Sequence, residues 1–131
     1  MPRGAGGPVT LIATFVILGV AVLLGSVLTL LHLREGAAAP PWPLGALHGL
    51  LAVGGLGGLV LALGGPPRGL DQGTASFGAI AAALFVLAAV AGTGLFTARL
   101  RKRRLPAMLI GIHATFAVGG FVVLAAYVFA G

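Results

Sequence analysis

The chain has 131 residues, no cysteine and only two acidic residues, Glu35 and Asp71. Without thiols there is no disulfide framework, no iron–sulfur cluster, no zinc knuckle and no Cys-x-x-Cys-His attachment for a covalent haem. The two carboxylates lie between apolar stretches, so no paired-carboxylate hydrolase is built from them. They also leave out the intramembrane acid that proton-coupled pumps generally use. Ser26 and Ser76 have no partner base in view, so a Ser/His/Asp set is missing too. Charge is scarce altogether: 8% of residues against 59% hydrophobic, with a mean hydropathy of +1.14. A soluble domain carries roughly 25% charged residues, and a disordered one is far less apolar. What remains is an integral membrane protein.

Four stretches have the ~20 apolar residues that a membrane-crossing helix needs: 9–31, 44–63, 76–98 and 107–129. They are separated by Pro40-Pro41-Trp42-Pro43, by Gly64-Gly65-Pro66-Pro67 and by a basic cluster ending at Pro106. Proline suits the first turn of a helix and not its interior, so these prolines mark helix starts. Short connections predict an all-α, four-helix up-down bundle forming a single membrane domain over 1–131. The apolar runs are continuous, without period-two alternation, which excludes a β-barrel. Gly54-Gly55-Leu56-Gly57-Gly58 lies inside a span with no strand before it, so it is no phosphate loop.

Six of the eight basic residues fall on one side of this scheme: Arg34, then Arg99, Arg101, Lys102, Arg103 and Arg104. Arg3 and Arg68 fall on the other. The positive-inside rule puts segments 32–43 and 99–106 in the cytoplasm and both termini outside. Trp42 then belongs to the cytoplasmic interface and Tyr127 to the opposite one. Gly36-Ala37-Ala38-Ala39 looks like a signal-peptide cleavage site, but the preceding apolar run of about 23 residues exceeds an h-region of 7–15. His32, Arg34 and Glu35 also intervene, so the first stretch reads as an uncleaved span. The pI near 11.9 reflects topology, not nucleic-acid binding, since five of the basic residues form one loop. That loop is suited to anionic lipid headgroups. One lysine, no asparagine and abundant Ala, Gly, Arg and Pro fit a GC-rich bacterial genome, hence a bacterial cytoplasmic membrane.

The most informative feature appears when the chain is slid against itself. Residues 41–59 and 106–124 share eight of 19 positions: Pro41/Pro106, Leu44/Leu109, His48/His113, Ala52/Ala117, Val53/Val118, Gly54/Gly119, Gly55/Gly120 and Leu59/Leu124. The preceding stretches align more faintly, through Gly25/Gly92, Leu28/Leu95, Leu33/Leu100 and Arg34/Arg101. The expectation is two copies of one helical hairpin, 1–65 and 66–131, inserted in the same direction as a parallel repeat. Most matches recur at the helical period around the histidine, so they share one face. Small residues on that face serve helix packing by themselves. The histidines ask for more, because ionisable groups inside a membrane span are costly and usually functional. Both lie in the cytoplasmic half, roughly 6 and 9 Å from the helix starts at 1.5 Å per residue. Diagonal placement of the second and fourth helices would let the two imidazoles face each other.

Facing histidines across a bundle axis suit one b-type haem with bis-histidine ligation. Ala52, Gly55, Ala117 and Gly120 would clear room for the ring, while His32, Arg34, Arg99 and Arg101 would meet its propionates. In this arrangement the chain resembles membrane cytochromes b, of the cytochrome b561 type and of the anchor subunits of quinone-linked dehydrogenases. The resemblance implies four helices, non-covalent haem b, electron transfer without independent catalysis, and quinone or a redox partner subunit as partners. Bacterial cytochrome b561-type proteins usually carry more intramembrane histidines, for two haems; here His48 and His113 allow one. His32, at a helix end, reads as an interfacial solvated side chain. Two other readings stay open. One is a structural or accessory membrane protein whose histidines hydrogen-bond in the bundle core. The other is transport or a different metal, although a closed zinc site wants four ligands.

Overall fold

A computed structural model describes residues 7–34 and 40–130, except the side chain of Val9. Arg3, Glu35 and the cleavage-like Gly36-Ala37-Ala38-Ala39 lie outside the described residues. The chain forms four helices, α1 (Pro8–Arg34), α2 (Trp42–Leu63), α3 (Phe77–Leu100) and α4 (Ala107–Phe129). All four are long and apolar enough to cross a membrane, and the described residues include no strand. The protein is an integral membrane helical bundle. Each helix is apolar all round, as expected of one surrounded by lipid and other helices.

The prolines act largely as anticipated. Pro8 opens α1, Pro43 occupies the first turn of α2, and Pro106 is the N-cap of α4. Pro66 and Pro67 do not open α3. A structured loop follows them, in which Gly69 and Gly73 both have φ +68° and Thr74 folds back onto the Gly69 carbonyl. Ser76 caps α3 instead of lying within it, and makes no side-chain capping bond. After α3 the basic cluster forms a Schellman turn. Arg103 N–H reaches Ala98 O at 2.9 Å and Lys102 N–H reaches Arg99 O at 3.1 Å, with Lys102 at φ +53° in the place glycine usually takes.

Helices adjacent in sequence pack together and α4 closes on α1, which leaves α2 facing α4 across the bundle axis. The tight core lies in the half near the α2–α3 loop: Leu11, Leu18, Leu59, Ala81, Phe85, Leu124 and Tyr127. Leu59 and Leu124 are fully buried. Glycine lets the helices approach there. A Cβ on Gly55 would fall 2.7 Å from Leu18, and one on Gly58 would fall 2.5 Å from the Thr14 hydroxyl. Such contacts between small residues and neighbouring side chains carry membrane-helix association, because lipid offers no hydrophobic driving force between helices. The outward faces present Leu23, Leu50, Val90 and Met108. Tyr127, near the C-terminal end of α4, is only 5% exposed, because Gly78 of α3 has no side chain to hold its ring away.

Candidate functional site

The other half of the bundle is packed more openly and contains both histidines. His48, in the second turn of α2, and His113, in the second turn of α4, have ring centres 5.9 Å apart and planes at 82°. Each imidazole is anchored through Nδ1 to a backbone carbonyl of the helix before it. His48 Nδ1 meets Ala21 O of α1 at 2.8 Å, and His113 Nδ1 meets Ala88 O of α3 at 2.7 Å. A carbonyl oxygen can only accept, so Nδ1 carries the proton in both rings. Nε2 of the neutral ring is then a bare lone pair.

These anchors depend on two glycines. In a helix the carbonyl of residue i already receives the N–H of residue i+4. The residues four beyond Ala21 and Ala88 are Gly25 and Gly92, which leave those carbonyls open to a second donor. A Cβ on either glycine would fall 2.9 Å from Cε1 of the imidazole it faces. The two hairpins thus make the same set of contacts with corresponding residues. Gly25 and Gly92 appear in the sequence comparison as a matched pair, but their role there is silent. Ala21 and Ala88 contribute only backbone oxygen, for which a sequence has no signal.

Both imidazoles line a cavity of ≈ 220 Å³. Its walls include Ala21, Gly25 and Ala52 from one hairpin and Ala88, Gly92 and Ala117 from the other, with Leu18 and Phe85 below. Of the small residues expected to make room for a ring, Ala52 and Ala117 lie on this wall. Gly55 and Gly120 do not: they are buried one turn deeper, against Leu18 and against Leu84 and Phe85. Their absent side chains let Leu18 and Phe85 sit close beneath the cavity.

The open end of the cavity lies between the α1–α2 and α3–α4 connections. His32, Trp42 and Arg99 line it. Arg99 Nε donates to Pro40 O at 2.8 Å, which ties the end of α3 to the start of α2. His32, expected as an interfacial solvated side chain, is half-buried, and its Nδ1 is buried without a hydrogen-bond partner among the described residues. Arg34 and Arg101 are exposed and away from the cavity lining.

An imidazole nitrogen binds a first-row metal at about 2.0–2.1 Å and its ring centre lies about 1.1 Å further back, so two rings on opposite sides of one metal have centres about 6.2–6.4 Å apart. The observed separation of 5.9 Å is a few tenths of an ångström shorter. Nδ1 bonded to a backbone carbonyl is also the usual outer-shell support of a metal-ligating histidine. No group of three or more His, Cys, Asp or Glu that could hold a metal ion is found among the described residues.

Comparison of the chain with protein-family models, with curated proteins and with solved structures found no match.

Proposed function

We propose that the protein is a small membrane cytochrome-like subunit in which His48 and His113 would hold one haem b between α2 and α4. One observation carries this reading. Imidazoles from diagonal helices line the same apolar cavity, and both Nδ1 atoms are already committed to backbone, which leaves Nε2 as the nitrogen to bind a metal. The carbonyls of Ala21 and Ala88 fix the ring tautomers and orientations, Ala52 and Ala117 keep the wall low, and Arg99 and His32 offer donors to carboxylates at the open end. Haem held by His48 and His113 would supply a one-electron couple, and two histidine ligands would favour electron transfer over O₂ activation. The chain then acts as an electron-transfer or anchor subunit in a bilayer, with quinone or a partner subunit exchanging electrons. The excess of basic residues near the histidine end orients that end to the cytoplasm. The same excess leaves the termini outside.

A competing reading takes the histidine pair as structural. Ring pairs at 4.5–7 Å often pack edge to face, and the 82° angle fits that too. The reduced-minus-oxidised visible spectrum of protein purified in mild detergent from haem-replete cells separates the two. The expected result is a low-spin b-type spectrum with split α and β bands. His48→Ala and His113→Ala each abolish it, and His32→Ala retains it. A folded, colourless wild-type preparation sinks the haem reading and leaves the structural one.

A further inference from the structure

Arg68 lies at the end of the bundle opposite the histidines, in the loop between α2 and α3. Its guanidinium is half-buried. One nitrogen donates to Val128 O of α4 at 3.1 Å, the group lies 6.0 Å from the Tyr127 ring centre, and Nε is buried with no partner among the described residues. No carboxylate pairs with it among the described residues, and Asp71, three residues on in the same loop, is exposed. The loop is built to hold it there. Gly69, next in sequence, is buried at φ +68°, where a Cβ would collide with the Thr74 hydroxyl, and Thr74 N–H closes back on Gly69 O at 2.9 Å. An unpaired guanidinium in such a place is expensive, and its fork of donors matches a carboxylate or phosphate.

The rest of the surroundings are apolar. Arg68 heads a cleft of ≈ 380 Å³ between the start of α1 and the end of α4, formed by Leu11, Ile12, Phe15 and Phe129. Ile12 and Phe129 are 56% and 76% exposed, so the cleft opens sideways toward lipid and not into the bundle. A cation at the level of the helix ends, above an apolar groove running along the helices, has the polarity of a phospholipid. We propose that this cleft binds an anionic phospholipid, with its phosphate on Arg68 and an acyl chain against Ile12 and Phe129. The site is separate from the histidine cavity and does not depend on what that cavity holds.

The test is lipid enrichment, read by native mass spectrometry of protein extracted from membranes of equimolar phosphatidylglycerol and phosphatidylcholine. Wild type retains phosphatidylglycerol in preference. A basic residue near a charged membrane surface contributes about 1 kcal/mol, so Arg68→Gln reduces that preference roughly fivefold. Arg68→Lys retains part of it. Should Arg68→Gln fail to fold, Ile12→Trp fills the cleft with Arg68 intact and abolishes the preference by itself. Equal retention of the two lipids by wild type overturns the proposal, as does unchanged preference in Arg68→Gln or in Ile12→Trp. Displacement of the bound lipid by inorganic phosphate alone also overturns it, because the site would then recognise the free anion.

Discussion

At the scale of single residues, the two glycines beneath the imidazoles are the most exacting positions in the molecule. Gly25 and Gly92 each leave a carbonyl open and make room for Cε1, so the smallest side chain disturbs both functions. Gly25→Ala or Gly92→Ala must push an imidazole off a Cβ only 2.9 Å away. Overpacking of this kind costs about 1–3 kcal/mol, and here the shift falls on the proposed ligand. Each variant is expected to fold with a lowered melting temperature and to lose or broaden the low-spin visible bands, measured on the same detergent preparation. Retention of unaltered bands in both would mean that the anchors on Ala21 and Ala88 do not position the ligands. Lys102 offers an opposite case. It sits at φ +53°, where an L side chain costs roughly 1–2 kcal/mol, against 0.4–1 kcal/mol that glycine loses through the freer unfolded chain. Lys102→Gly is therefore expected to raise thermal stability by about 0.5–1 kcal/mol, with no effect on the visible spectrum.

At the scale of elements, the helices divide their length between two tasks. The half near the α2–α3 loop is close-packed around Leu59 and Leu124, and the half near the basic turn keeps an open cavity around the histidines. Truncating the packed half should therefore affect stability alone. Leu124→Ala removes a fully buried side chain and is expected to cost about 2–5 kcal/mol, seen as a lower melting temperature, while the proposed haem bands keep their position. The spans were legible in the sequence because length, apolarity and proline placement act locally. α4 begins at Ala107 and ends at Phe129 as its apolar run does, and α1 and α3 extend only two or three residues beyond theirs at the C-terminal end. The pairing of His48 with His113 was also legible, since helical period and bundle topology suffice to bring them together. The division of labour among the small residues was not. Ala52, Gly55, Ala117 and Gly120 look equivalent as letters, yet the first and third line the cavity while the second and fourth receive Leu18 and Phe85. That choice depends on which neighbour's side chain reaches each position. The burial of Tyr127 was silent for the same reason, since it is decided by Gly78 on another helix.

At the scale of the whole molecule, the proposed electron transfer depends on which membrane face the histidine end meets. Packing does not decide this, because an apolar bundle is equally stable either way up. On the positive-inside reading charge does: Arg34 and the cluster from Arg99 to Arg104 lie at the cavity end, against Arg68 at the other and Arg3 before α1 in sequence. Positive loops are retained in the cytoplasm, so the cavity is expected to open there, within reach of cytoplasmic reductants and close to one leaflet. With a single redox centre in that half, transfer across the whole bilayer needs a second carrier, which is why quinone or a partner subunit belongs to the reading. The orientation can be measured without any cofactor. Alkaline phosphatase fused after Gly131 is expected to be active in a bacterial host, and green fluorescent protein at the same place to be dark. Replacing Arg101, Lys102, Arg103 and Arg104 by Gln lowers the basic count at the cavity end to the level of the other end. That variant is expected to give a mixture of both reporter signals. A bright green fluorescent fusion in the unaltered chain would put the cavity on the outer face, and electrons would then have to come from a partner on that side.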